Sequence, residues 1–136
     1  MPTMNEAKEA ALKRFLAQTT LPADRRALPN MAFEPPAGVT WVRISIQHIG
    51  GEQSTLNRPG LRRFERRAIV FMQVMAPVDQ GSEAGDLLAQ ECRDIFEGTS
   101  FDGLRFTSVD VREVPSDDDA WWTTLVEAPF DYEEVK

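Results

Sequence analysis

Apolar side chains recur at helical spacing near the start of the chain. Over residues 3–18 they fall on one face of a helix, which would be lined by Ala7, Ala10, Ala11, Phe15 and Leu16. Thr3 and Glu6 have the spacing of a capping box, which satisfies free amides at a helix N-terminus. Thr19, Thr20 and Pro22 would end this helix. The pattern therefore predicts a first helix over residues 3–18.

A second stripe with helical spacing lies past the middle of the chain. It consists of Ala84, Leu87, Leu88, Cys92, Ile95 and Phe96. Ser82 is a favourable N-cap residue, and Gly98 is a natural residue at a helix C-terminus. The pattern predicts a second helix from Ser82 to Glu97, with the stripe buried.

Four segments have the alternation of β-strands. Residues 39–49 alternate strictly, which is typical of an antiparallel strand with one wet face. Residues 66–76 are apolar on both faces, which indicates a central strand or one whose outer face meets a partner. Residues 104–114 and 120–130 are predicted as two further strands, and Pro129 suggests that the last one ends at a sheet edge.

The remaining segments are predicted to be irregular. Residues 20–38 contain four prolines and would form an ordered arm, held to the body by Leu28, Met31 and Phe33. Residues 50–65 contain Gly50-Gly51 and Pro59-Gly60 and are predicted as a long basic loop. Residues 115–119 would form an acidic turn, and the tail from Asp131 would fray.

The element order is therefore α-β-β-α-β-β. It predicts an α+β fold in which an antiparallel sheet of about four strands carries two helices on one face. A length of 136 residues fits one domain over residues 1–136. No apolar run reaches membrane-spanning length and no signal peptide is evident, so a soluble protein is expected, without membrane binding. The single cysteine, Cys92, gives no sign of an oxidising compartment.

Charge is unevenly distributed along the chain. The net charge of -7 argues against specific nucleic-acid binding by the whole body. A basic cluster consists of Arg58, Arg62, Arg63, Arg66 and Arg67, and an acidic cluster consists of Asp117, Asp118 and Asp119. Charge alone favours two solvated surfaces, whereas Leu61 and Phe64 within the basic run favour an interface. The hypothesis is that these basic and acidic clusters, with Phe64, meet between subunits.

The adjacent residues Trp121 and Trp122 point to opposite faces of their predicted strand. One can join the core. The other would be either an anchor for a partner or covered by the proline-rich arm, and the sequence leaves both alternatives open.

Residue types that carry chemistry are few. His48 is the one histidine and lies in a predicted strand, where a surface or interface role is the more common one. Cys92 falls on the apolar stripe of the second helix and is expected to be a core residue. Gly50-Gly51 lacks the lysine and hydroxyl residue of a phosphate-binding loop. We therefore expect no catalytic, cofactor-binding or metal-binding residues and no enzyme activity.

The whole pattern resembles a known family. A leading helix, the segment VRISIQHIGGEQSTLNRPGLRRFERRAIVFMQVMAP, the helix GSEAGDLLAQECRDIFEG and a closing hairpin are similar to the tail terminator or tail-completion proteins of long-tailed bacteriophages, and to a small phage-related domain of unknown function. The resemblance covers nearly the whole chain. It rests on element order and short segments, because no catalytic motif is present.

The resemblance implies a structural tail protein of a phage or prophage. Such a protein forms a ring, commonly hexameric, that caps the tail tube, ends its polymerisation and presents a head-joining surface. The implied partners are other copies of the chain, the tail-tube protein and the head-tail connector protein. Assembly occurs in the bacterial host cytoplasm, in some cases only on the tube as template, and the final location is the virion tail. The alternatives are a head-tail connector or neck protein, and a small α+β ligand-binding or regulatory domain unrelated to phage.

Overall fold

The first helix begins where its capping box predicts. A computed structural model describes residues 2–78, 81–114 and 121–136. Within these ranges the elements are α1 (Met4–Gln18), a 3-10 turn (Ala23–Arg25), β1 (Arg26–Ala27), β2 (Trp41–Gln53), β3 (Arg63–Pro77), α2 (Glu83–Phe96), β4 (Ser100–Phe101), β5 (Leu104–Phe106), β6 (Asp110–Val114) and β7 (Trp121–Val135). The Thr3 hydroxyl accepts from the Glu6 amide, and the Glu6 carboxylate accepts from the Thr3 amide. The capping box is thus confirmed.

One sheet organises the fold. Its strand order is β1-β2-β3-β7-β5-β4, and β6 also pairs with β7. All pairs are antiparallel except β1 with β2. The α+β class is confirmed, but the sheet has seven strands instead of about four. The prediction missed β1 and β4, because two residues cannot show a periodicity, and it treated β5 and β6 as one strand.

Both helices pack on the same face of the sheet. Phe15 of α1 and Phe96 of α2 belong to one buried cluster with Val70 and Met72, which lie on one side of β3. On the opposite side of β3, Ile69 and Phe71 are only half-buried. β3 lies between β2 and β7, so the prediction of a central strand from its apolar character on both faces is confirmed.

The long basic loop predicted over residues 50–65 is much shorter in the structure. β2 continues to Gln53 and β3 begins at Arg63, so only residues 54–62 connect them. The pairing shifts register between His48 and Gly50, and Gly51 then lies opposite Arg66. A Cβ on Gly51 would collide with the carbonyl oxygen of Glu65. The two glycines therefore mark a bulge and a close backbone approach inside a strand, not a loop.

The last strand is central, which corrects two expectations. β7 runs from Trp121 to Val135 and pairs with β3 along its whole length, so the tail does not fray. Pro129 is not at a sheet edge. On the side of β7 away from β3, β6 pairs with residues 123–127 and β5 with residues 130–131, and Pro129 lies in the gap between them. Such a gap tolerates a residue that has no amide hydrogen.

Residues 104–114 form two strands, not the one predicted, because residues 107–109 leave the sheet between β5 and β6. β4 and β5 form a tight hairpin around Asp102 and Gly103, whose φ angles are 49° and 82°. Two successive positive φ angles define a type I′ turn, for which Asp-Gly is a favoured sequence. This signal was present in the sequence and was missed.

The buried face of α2 differs from the predicted stripe. Leu88, Cys92, Ile95 and Phe96 are buried, but Leu87 is 65% exposed and Ala84 is also exposed. Gly85 lies against the sheet instead, and a Cβ on it would contact the Ala76 side chain at 3.3 Å. α2 therefore approaches the sheet most closely at Gly85, and Leu87, which lies about 200° further around the helix, is turned outward.

The proline-rich arm is more regular than predicted, because it contains the 3-10 turn and β1. Leu28 packs against the core, and the Phe33 ring lies 4.9 Å from that of Trp41. Met31 is 63% exposed, so its predicted packing is wrong. The arm is therefore attached through β1 and through Leu28 and Phe33, two of the three residues predicted to hold it.

Candidate assembly surfaces

The basic cluster lies at one end of the sheet. We call residues 54–67 together with residues 131–136 the arginine tip, because they form the connecting loop and the adjoining ends of β3 and β7. β3 and β7 run antiparallel here, with Phe64 opposite Glu134 and Arg66 opposite Tyr132. The register brings the basic start of β3 against the acidic end of β7.

Two of the five arginines form ion pairs within the chain. Arg63 Nη1 lies 3.4 Å from Glu133 Oε2, and Arg66 Nε lies 3.2 Å from Glu134 Oε1. Both pairs join the neighbouring strands β3 and β7, but on opposite faces of the sheet, because Arg66 shares a face with Phe64 and Glu134 whereas Arg63 shares the other with Glu133. Opposite charges on neighbouring strands stabilise the pairing modestly. Part of the negative charge that the basic cluster was expected to meet on another subunit is therefore supplied by β7 of the same chain.

Phe64 is surrounded by cations. The charged groups of Arg66, Arg62 and Lys136 lie 4.9, 5.8 and 5.8 Å from the centre of its ring. Arg62 Nε also donates to the Lys136 carbonyl oxygen at 3.1 Å. These cation–π contacts give Phe64 a structural role in ordering the tip.

The remaining exposed groups of the tip are both apolar and basic. Leu56 is 100% exposed, and Leu61 is also exposed. Within the part of the chain that the structure describes, Arg58, Arg62 and Arg67 form no ion pair with a carboxylate. The tip therefore presents leucine side chains beside arginines that have no acidic partner in the described ranges.

The predicted acidic set, Asp117, Asp118 and Asp119, lies outside the described residues. The tryptophans that follow are described. The Trp121 ring packs edge-on against Trp41 at 5.8 Å, and Trp41 is in turn covered by Phe33 of the arm. Trp122 is half exposed, in a groove with Pro77, Val78 and Ser82. The arm thus packs over Trp41 and leaves Trp122 open.

His48 is held by a residue that the sequence reasoning did not single out. Its Nε2 lies 2.7 Å from the Tyr132 hydroxyl, while its Nδ1 is buried without a hydrogen-bond partner in the described residues. Burial lowers the pKa of His48, and the nearby cations Lys8 and Arg66 lower it further, against the opposing effect of Glu134. Burial also raises the pKa of Tyr132. His48 is therefore neutral at pH 7 and forms part of the packing beneath the tip.

This environment predicts a pH dependence of stability. Because the folded-state pKa of His48 lies below its ordinary value of 6.5, the unfolded chain binds the proton first as the pH falls. The contribution of neutral His48 is present above pH 6.5 and is lost as the pH falls through the folded-state pKa. The free energy of unfolding, measured with urea, should fall less between about pH 7.5 and about pH 5 for His48→Gln than for the unaltered protein. Equal declines in the two proteins would contradict this assignment.

Cys92 is a core residue, as predicted. Its side chain is fully buried, and burial raises the pKa of the thiol to about 12. In the described ranges, no three histidine, cysteine or carboxylate side chains cluster as metal ligands. No helix there is both long enough and apolar enough to cross a membrane.

Comparison with known proteins identifies the class. The family profile described as phage tail terminator protein matches residues 7–130. The chain therefore belongs to the phage tail terminator family, and it is a structural protein of the phage tail. The matched region includes α1, α2 and every arginine of the basic cluster.

A solved structure has the same fold. It matches 100% of this chain and 99% of its own, with a TM-score of 0.70 and 21% sequence identity. At this identity the similarity speaks for the fold alone. No curated protein matches the chain.

Proposed function

We propose that the chain forms a ring on the last ring of the tail tube, ends tube polymerisation and provides the surface to which the head is joined. Membership of the tail terminator family carries the proposal. Its partners are other copies of itself, the tail-tube protein and the head-tail connector protein. The chain is located in the bacterial host cytoplasm before assembly and in the virion tail afterwards.

The physical logic needs no covalent chemistry. A tube that grows by stacking identical rings offers the same surface at its end after each addition. A ring that matches this surface on one side but not on the other stops the series. The arginine tip suits such recognition, because its exposed leucines, and arginines that form no ion pair within the described ranges, lie at the end of the long strands β2, β3 and β7.

Two features support assembly over the ligand-binding alternative. Phe15, Met72 and Phe96 fill the space between sheet and helices and are fully buried, so this region is packed and not a pocket. Leu56, Leu61 and the arginines of the tip lie instead at the outer end of the sheet. Protein surfaces of this mixed kind are typical of interfaces.

The test is a tube-capping assay. Purified tail-tube protein is allowed to polymerise with increasing amounts of this chain, and tube lengths are measured by negative-stain electron microscopy. We expect tubes to become shorter as the ratio rises, with gold-labelled chain located at tube ends. Unchanged lengths with label on purified connector would contradict capping and favour the neck-protein alternative. An unrelated acidic protein of similar size is the control.

A further inference from the structure

The outward face of α2 has an unexplained apolar feature. Leu87 is 65% exposed, although it lies in the middle of a charged helix face. It borders a groove of about 390 Å³ between the end of α1 and α2, lined by Gln18, Leu87, Gln90, Glu91, Asp94 and Ile95. A second groove of about 340 Å³, which includes Leu21 and Ala84, lies on the other side of Leu87. Each groove is large enough for a leucine side chain.

The surroundings of these grooves are acidic. Glu83, Asp86 and Asp94 are exposed on α2, and Glu91 lines both grooves. Arg25 lines the second groove, where its Nε donates to the Thr40 carbonyl oxygen at 2.8 Å. Arg93 is paired with Glu97 at 3.9 Å, so the basic residue of this helix is directed to its own C-terminal end. The outward face of α2 therefore combines an apolar centre with excess negative charge.

The arginine tip has the complementary composition. Leu56 and Leu61 project from a loop that also carries Arg58 and Arg62. Apolar groups would fill apolar grooves, and the arginines would reach the surrounding carboxylates. Opposite potentials of this kind steer association and fix its register.

The tip and Leu87 lie near opposite ends of β3. The tip lies at the Arg63 end, whereas Gly85, two residues before Leu87, lies against Ala76 near the Pro77 end. At about 3.3 Å per residue, the fifteen residues of β3 separate these strand ends by about 45 Å. The tip cannot fold back onto its own Leu87, so a partner for the grooves there must be another molecule.

We propose that the arginine tip of one copy docks on the outward face of α2 of the next copy, with Leu61 against the groove beside Leu87 and the tip arginines against Glu83, Asp86 and Asp94. The inference rests on the proposed ring and names the contact that builds it. Since the two surfaces differ, the contact is head-to-tail and generates a closed ring when the rotation between copies closes. Added salt weakens it, because the paired charges lie at the surface.

Cysteine crosslinking tests this contact directly. The variant Leu61→Cys, Leu87→Cys is incubated with tail tubes, oxidised and resolved on a non-reducing gel. A disulfide requires Cα atoms within about 7 Å, so only docked copies can be joined. We expect a ladder of crosslinked species up to the size of the ring. Cys92 stays out of the reaction because it is fully buried.

The matched control keeps the tip cysteine and moves the second one. Met4 is exposed on α1, away from the grooves beside Leu87, so Leu61→Cys, Met4→Cys should give no ladder. A mixture of the Leu61→Cys and Leu87→Cys single variants should give crosslinked dimers only. This mixture also serves if the double variant folds poorly.

The outcomes separate this contact from the proposed function. Tubes that are capped without any Leu61–Leu87 crosslink would overturn the contact and leave capping intact. Equal ladders from the Met4 control would overturn it as well, because they would indicate nonspecific collision. Failure of the unaltered chain to shorten tubes, with normal circular dichroism, would overturn the ring and with it the contact.

Discussion

Replacing Phe96 with alanine should lower the free energy of unfolding by about 3–5 kcal/mol. Phe96 is fully buried at the end of α2, and its ring lies 4.8 Å from that of Phe106. Phe106 in turn contacts Phe130 and Phe101 at 4.8 and 5.5 Å. The aromatic group joins α2 to three strands, so its removal leaves a cavity that no single element can close.

Urea unfolding followed by circular dichroism measures this effect. Leu56→Ala is the control, since Leu56 is fully exposed and its truncation should change stability by less than about 0.5 kcal/mol. If both variants unfold in one step, the free energy of unfolding should fall with urea concentration at the same slope in both. A Phe96→Ala protein as stable as Leu56→Ala would show that the aromatic group is not the centre of the core.

Reversing the charge of Arg58, Arg62 and Arg67 together should abolish tube capping and ring formation. These arginines have no carboxylate partner in the described ranges, so the substitutions break no ion pair there. Arg62 also donates to the Lys136 carbonyl oxygen at 3.1 Å, so folding of the variant is checked by circular dichroism before capping is measured. In the folded variant, six units of charge change should repel the acidic surface that the tip is proposed to meet. Capping is measured by tube length and ring formation by light scattering across concentration and salt.

The control shifts net charge equally at sites away from the tip. Lys13→Glu, Arg26→Glu and Arg43→Glu lie on α1, β1 and β2, and this triple variant should still cap tubes. Arg63 and Arg66 are left unchanged in both proteins, because their reversal would break the pairs with Glu133 and Glu134. If the tip variant folded and capped tubes normally, the assignment of the arginines to an interface would be abandoned.

Much of the fold could be read from local patterns. The first helix was predicted by its capping residues and the spacing of Ala7, Ala11 and Phe15, all of which are buried. The centres of β2 and β3 were predicted by their alternation. The type I′ turn at Asp102 and Gly103 was equally readable, and the prediction overlooked it. In each case the decisive interaction lies within a few residues of the chain.

The strand ends could not be read in this way. Gly50-Gly51 looks like a loop in isolation, and only the opposing backbone of β3 makes it a bulged strand. Pro129 looks like an edge residue until the gap between β5 and β6 is known. Strand length is set by the availability of a hydrogen-bonding partner, and that partner is distant in sequence.

The candidate surfaces show the same division. The basic cluster was visible in the sequence, but the pairing of Arg63 and Arg66 with Glu133 and Glu134 depends on β7 lying beside β3. Leu87 belongs to the apolar stripe by spacing, yet the close approach of Gly85 to Ala76 turns it outward. Helical period restricts the buried face to an arc, and packing selects the side chains within it.

The sequence by itself determined the fold class, the two helices, the central strand and the presence of a basic cluster, because these depend on periodicity, capping and composition. Only the tertiary structure decided where β2, β3 and β7 end, which arginines remain without a partner in the described ranges and which face of α2 is open. These features depend on contacts between residues far apart in the chain. The free energy of such contacts cannot be judged from the sequence of one segment alone.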